Sequence, residues 1–173
     1  MTLKKPEPLN KDHNVTDFNS NYPELDEWLK KHAFQAKMSG SATTFIVADD
    51  NLVVGYYSLT VGQVDADEAS ERIKKGMGKY PIPVVILARL AVLDTYQGKG
   101  IGRAMLKDAI LKTLHIAEQG GVRALLVHAI DKKAETFYKR FGFEPSPIRE
   151  NQLLLLLKDA KKVIFEQRLA KST

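Results

Sequence analysis

Val84-Val-Ile-Leu-Ala-Arg-Leu-Ala-Val-Leu93, then Asp-Thr-Tyr, then Gln97-Gly-Lys-Gly-Ile-Gly-Arg103: this stretch of the 173-residue chain decides the fold. Its first ten residues are almost all apolar and predict a central strand over 84–93, buried on both faces. Gln-x-x-Gly-x-Gly breaks that strand with a glycine turn. Past the turn, Gly102, Met105, Leu106, Ala109, Ile110, Thr113, Leu114 and Ala117 recur every three or four residues. They mark one face of a long helix that stops near Gly120-Gly121. A strand that passes through a glycine turn into a helix is a site for phosphate. The first amides of a helix have no partner within it, and their dipoles favour negative charge. Glycine lets those amides approach oxygen without a Cβ in the way. Gln97, Gly98, Lys99, Gly100, Ile101, Gly102 and Arg103 are therefore the candidate phosphate-binding residues, with Lys99 and Arg103 adding positive charge.

The spacing separates this loop from two neighbours. A Walker loop needs Gly-x-x-x-x-Gly-Lys-Ser/Thr, which is absent. A dinucleotide fingerprint needs Gly-x-Gly-x-x-Gly after the first strand and an acid about 20 residues on. Here the glycines lie mid-chain, and no ribose-binding acid follows.

Working outward, Pro23 opens a helix behind the N-cap candidate Asn21, and Leu25, Leu29, Ala33 and Ala36 give it an apolar stripe. Ser39-Gly40-Ser41 ends it. Thr43–Ala48 and Leu52–Val61 read as a hairpin around Asp49-Asp50-Asn51. Asp67–Met77 reads as a short polar helix, and Gly76, Gly78, Pro81 and Pro83 make a loop. Ala124–Ile130 is a buried strand, Lys132–Arg140 a short helix closed by Gly142, and Leu153–Leu157 a last strand. Residues 158–173 read as a charged terminal helix. Residues 1–20 carry no clear period. The order describes one mixed α/β domain over 1–173, a central mixed β-sheet with flanking helices.

Composition narrows the chemistry. There are no cysteines, which excludes a disulfide scaffold, a thiol nucleophile and a thiolate metal site. No metal is expected. Apolar residues reach 44%, enough for a core, and no apolar run approaches the roughly 20 residues that span a bilayer. The start carries no secretory pattern, and a cytoplasmic protein with no membrane partner is expected. The net charge of +5 is uneven. Residues 96–173 hold 15 basic and 8 acidic side chains, while residues 1–60 hold 6 and 8. The excess points to an anionic ligand, or is simply a solvated basic surface.

With the apolar strand and Gln-x-x-Gly-x-Gly in place, the sequence resembles the GNAT acetyltransferase superfamily. The second half of that signature is also present: Leu125-Leu-Val-His-Ala129, then Ala134-x-x-Phe137-Tyr138-x-x-Phe-Gly-Phe143. The resemblance implies acetyl-CoA as cosubstrate, with its pyrophosphate on residues 98–103. It implies that the backbone of Leu90, Ala91 and Val92 bonds the pantetheine arm, and that Tyr138 protonates the leaving thiolate. Pro6-x-Pro-Leu, Leu25-Asp-x-Trp-Leu29, Thr44-Phe-Ile-Val47, Gly55-Tyr-Tyr-Ser-Leu59 and Val122-Arg-Ala124 further resemble the GNAT toxins of type II toxin–antitoxin systems. That likeness spans residues 6–157. It implies acetylation of the α-amine of aminoacyl-tRNA, a block of translation, a ribbon-helix-helix antitoxin, operator DNA bound through the complex, and a homodimer. Thr43 stands where many such toxins carry a basic residue, and the tail from Lys158 extends past their usual end.

Other residues have two readings. Arg89 interrupts the apolar strand and is either an acceptor or phosphate contact or half of a structural ion pair. Lys30, Lys31, Lys37 and Lys75, with Arg72, Lys74 and Lys79, can grip an RNA backbone or be solvated. His128 reads as a satisfied core histidine rather than a base. The ring of Tyr138 also fits simple packing beside Phe137, Phe141 and Phe143. Trp28 reads as helix packing. The competing functions are acetylation of a protein or small-molecule amine, and a GNAT fold kept for partner or operator binding.

Overall fold

The structure, a computed structural model, describes the backbone of residues 3–172 and the side chains of residues 3–164. It contains strands β1 (Glu7–Pro8), β2 (Thr43–Asp49), β3 (Leu52–Val64), β4 (Ile82–Val92), β5 (Ala124–His128), β6 (Glu144–Pro145) and β7 (Gln152–Leu156). The helices are α1 (Pro23–Lys31), α2 (Ala33–Ser39), α3 (Glu71–Lys74), α4 (Ile101–Gln119), α5 (Lys132–Lys139) and α6 (Leu157–Ser172). The strands form one sheet in the order β1-β2-β3-β4-β5-β7-β6, the expected α/β architecture. Contacts divide the chain into two compact units, Met1–Thr60 with Leu87–Ala109, and Val61–Ile86 with Ile110–Thr173.

In the first unit, β1 and β2 pair antiparallel, with Pro8 opposite Phe45. β2 and β3 form the predicted hairpin, with Thr44 opposite Ser58 and Tyr57 opposite Phe45. Asp50 turns the chain at φ 53°, a conformation that Asp tolerates better than most residues. The stripe predicted for one helix is broken at His32 into α1 and α2, and Gly40 closes α2 in the left-handed region. Asn21 is not the cap: it lies at φ 74°, Tyr22 holds the N-cap position but does not cap the helix with its side chain, and Pro23 starts the helix. Glu24 and Asp26 near the helix start and Lys30 and Lys31 near its end complement its dipole. Leu29, Ala33, Ile46, Val53, Tyr56, Leu87, Met105 and Leu106 fill this core.

In the second unit, β5 and β7 pair antiparallel from Ala124 opposite Leu156 to His128 opposite Gln152. All of β7 is buried, as a leucine run predicts. Val64, Ala69, Ile73, Ile82, Val84, Leu126 and Leu154 form one apolar cluster. The helix expected over 67–77 shrinks to a 3-10 turn at Ala66–Glu68 and the four residues of α3. Its anchors are far away in sequence: Arg72 reaches Glu144 at 2.7 Å and Asp159 at 2.9 Å, and Arg149 reaches Glu68 at 3.0 Å. Side chains of the terminal helix beyond Ile164 lie outside the described residues.

Candidate active site

The glycine loop takes its shape from backbone conformations that other residues resist. Gly98 lies at φ 79° and Gly100 at φ 86°, both in the left-handed region. No atom lies within 4 Å of the position a Cβ would take at either residue, so conformation and not space demands glycine there. The first bond of α4 runs from the Ala104 amide to the Gly100 carbonyl at 3.1 Å. The amides of Gly100, Ile101 and Gly102 thus precede any helical carbonyl they could bond. Gly102 serves packing: a Cβ there would touch Val92 Cγ2 at 3.8 Å and Leu90 Cδ2 at 4.0 Å. Leu90 and Val92 therefore carry the start of α4 on their face of β4. Gly98, Lys99, Gly100 and Arg103 are exposed, and Lys99 Nζ lies 5.0 Å over the Tyr96 ring. This cradle of amides with two cations at its rim fits a diphosphate.

Gln97 does something the sequence did not suggest. Its Nε2 donates to the Ser20 carbonyl at 2.9 Å and to the Val92 carbonyl at 3.0 Å. It staples the turn to the end of β4 and to the N-terminal segment. Ser20 is itself buried, donating from its amide and hydroxyl to Asp26 Oδ1 at 2.9 and 2.6 Å. The Asp94 amide adds a bond to the Asn19 carbonyl at 2.7 Å. Ser20, Asn19 and Asp26 support the loop from 70 residues away in sequence, and only tertiary structure reveals them.

Tyr138 lies in α5, whose start is capped by Asp131 Oδ1 accepting from the Ala134 amide at 2.8 Å. Its ring is buried edge-on against Phe137 and Phe143, at centroid distances of 5.2 and 5.4 Å. The packing reading is thus true of the ring. The hydroxyl bonds to none of the described residues. Burial pushes its pKa well above the ordinary phenol value, so it stays a proton donor across the physiological range.

The remaining candidates separate. Arg89 has no ion pair among the described residues: its guanidinium carbon lies over the Trp28 ring, 3.9 Å from the centroid. Lys37 is structural, donating to the Leu9 carbonyl at 2.8 Å. Lys31 pairs with Glu27 at 3.0 Å on the exposed face of α1. Lys30 and Lys75 are exposed. Lys30, Lys31 and Arg89 share the first unit with α1, while Lys75 belongs to the second. His128 is not a core residue: it ends β5 exposed, with Nε2 3.0 Å from Gln152 Oε1.

The family model for the acetyltransferase (GNAT) domain matches residues 40–145. The chain belongs to the GNAT acetyltransferase family. It is an N-acetyltransferase. The tRNA-acetylating toxin of Mycobacterium tuberculosis (strain ATCC 25618 / H37Rv) is 41% identical to this GNAT protein over 150 residues, 87% of this chain and 90% of that one. The solved structure of AtaT complexed with acetyl-methionyl-tRNAfMet superposes with a TM-score of 0.85 at 27% identity, covering 94% of this chain and 99% of that one. A tyrosine-to-phenylalanine mutant of KacT gives a TM-score of 0.87 at 22% identity, with the same coverage, and shares the fold. Among the described residues, no helix is long and apolar enough to cross a membrane.

Proposed function

We propose that this chain acetylates the α-amine of aminoacyl-tRNA with acetyl-CoA, and so acts as a toxin that blocks translation. The observation that carries the reading is the Gly98–Arg103 cradle in a chain 41% identical to a tRNA-acetylating toxin. Related structures support it: AtaT has been solved with acetylated methionyl-tRNA, and a mutant AtaT with its antitoxin AtaR and acetyl-CoA. By the same likeness, a ribbon-helix-helix antitoxin would hold the toxin and carry the complex to operator DNA; the AtaT–AtaR complex has been solved bound to DNA. Residues 1–173 act as one catalytic domain in this reading, in the cytoplasm where charged tRNA resides, and a homodimer is the expected assembly.

Acetyl-CoA, when bound, supplies an acetyl thioester. The amides of Gly98–Arg103, with Lys99 and Arg103, hold its phosphates. The backbone of Leu90, Ala91 and Val92 orients the pantetheine arm, and an N–H of that segment polarises the thioester carbonyl. No cysteine exists to carry an acetyl group, so the amine attacks the carbonyl carbon directly. The N–C bond forms, the C–S bond breaks, Tyr138 gives its proton to the departing sulfur, and the proton shed by the acetylated nitrogen restores the phenol. An α-amine titrates near 7.7–8.0, and an adjacent ester lowers it further, so the acceptor is neutral without a dedicated base. A lysine amine near 10.4 would need one.

The deciding experiment incubates the protein with labelled acetyl-CoA and either charged or deacylated tRNA. Label on the charged pool alone is expected. Label absent from both pools, but present on peptides or polyamines, would replace this reading with acetylation of another amine.

A further inference from the structure

Arg89 stands one residue before the Leu90–Val92 segment, on the opposite face of β4. Its side chain shares parity with Val85, Leu87 and Ala91, which are buried, whereas Leu90 and Val92 lie under Gly102. The guanidinium lies on one face of Trp28, and Trp28 stacks on Tyr56 with centroids 6.1 Å apart and planes 12° from parallel. The Tyr56 hydroxyl locks that platform by donating to the Leu25 carbonyl at 2.6 Å. Phe18 packs edge-on against Tyr56 at 5.6 Å. The platform is therefore braced from behind, and the guanidinium rests on its open face.

What the platform lacks is an acid. No carboxylate among the described residues pairs with Arg89, and its five N–H donors bond to none of them. The nearby acids of α1 are engaged elsewhere, Asp26 with Ser20 and Glu27 with Lys31. Burial disfavours the Arg89 charge, with the electrostatic effect of Tyr56 opposing it. A half-buried cation with an unused planar fork of donors is prepared for a bidentate anion, and a phosphodiester offers two oxygens in that geometry. The coenzyme phosphates are already served by the cradle at the start of α4, on the other face of β4.

We propose that Arg89, held over Trp28, is the acceptor-positioning residue, binding the phosphodiester next to the aminoacylated 3′ nucleoside of the acceptor RNA. This rests on the reading of charged tRNA as substrate. It makes the enzyme select a nucleotide-linked aminoacyl ester over a free one.

The test uses two acceptors with the same aminoacyl ester: charged tRNA, and aminoacyl-adenosine, which has no phosphodiester. Arg89→Met is expected to lower kcat/KM for charged tRNA by about 10- to 100-fold. It should leave aminoacyl-adenosine within about twofold and the KM for acetyl-CoA unchanged. Arg89→Lys, a point charge without the fork, should recover only part of the loss. Equal losses on both acceptors, or no loss on charged tRNA, would overturn the proposal. Failure of wild-type protein to acetylate charged tRNA would remove the underlying reading as well, and is visible before any variant is made. A binding readout guards against misfolding of the variants. Trp28 is the single tryptophan of the chain, so its fluorescence reports on the stack directly. Titrating wild-type protein with the dinucleotide CpA should change that emission, and adenosine at the same concentration should not. A response to neither, or the same response to both, counts against the assignment.

Discussion

Between Gln97 and Arg103 the proposed working groups are mostly backbone amides, with Lys99 and Arg103 at their rim, whereas between Asp131 and Phe143 the proposed working group is one side chain. The loop is exposed, and its form depends on two left-handed glycines and a staple from Gln97. Tyr138 is buried among phenylalanines, and its hydroxyl has no partner among the described residues. A site made of backbone is damaged by any residue that alters φ, whatever its chemistry. A site made of one side chain is damaged only by changing that side chain. Binding should therefore follow the loop, and turnover should follow the tyrosine.

Gly100→Val should have the largest effect. A β-branched residue at φ 86° is strained, and escape from the strain moves the amides. We expect the KM for acetyl-CoA to rise about 100-fold in steady-state assays. A drop in kcat alone would break the division of labour. Next, Tyr138→Phe should lower kcat at least about tenfold with an unchanged KM and an unchanged melting temperature, since the hydroxyl lost bonds to none of the described residues. The same variant isolates the ionisation of this phenol. Burial disfavours the phenolate, so its pKa rises and the proton stays on as the pH passes through the ordinary value near 10. The tyrosinate absorbance of wild type minus variant should thus stay flat to about pH 10. A step below that would show a less buried hydroxyl. Gln97→Leu cuts two bonds to backbone carbonyls, and the KM for acetyl-CoA should rise about fivefold with kcat little changed. The smallest effect belongs to Thr44, whose buried hydroxyl has no partner among the described residues. Thr44→Val should raise stability by about 1 kcal/mol in a denaturant titration, with activity untouched. A lower melting temperature would mean that the hydroxyl is satisfied in solution.

The strands, α4, α5 and the glycine loop were legible because their signals are local. Continuous apolar runs, a 3.6-residue period and φ-permissive glycines lie within a dozen residues of one another. The misreadings came where the decision lies elsewhere in the chain. Asn21 has the chemistry of a cap, yet Pro23 fixes the helix start and leaves Asn21 in the left-handed turn before it. The break at His32 carries no glycine or proline to announce it. Among the candidate contacts, Lys37 was taken by a carbonyl 28 residues away, and His128 projects from the end of its strand. Of the two readings of Arg89, the structural ion pair fails among the described residues, because the guanidinium sits over an indole and not beside a carboxylate. Charge is visible in a sequence, but its partner is a matter of tertiary placement. Gln97 was counted among the phosphate ligands by position, whereas its amide holds the loop from behind.

The four residues of α3 bear on the order in which the chain folds. A single turn of helix cannot persist alone, because its nucleation is unfavourable. Here Arg123 gathers its end: Nε donates to the Ile73 carbonyl at 2.8 Å, and a terminal nitrogen reaches the Arg72 and Lys75 carbonyls, each at 3.2 Å. Arg123 immediately precedes β5, and the other ties of this segment come from residues 144, 149 and 159. Residues 66–75 therefore have little reason to order until chain synthesised long after them is in place. On a ribosome, this segment would emerge early and settle late.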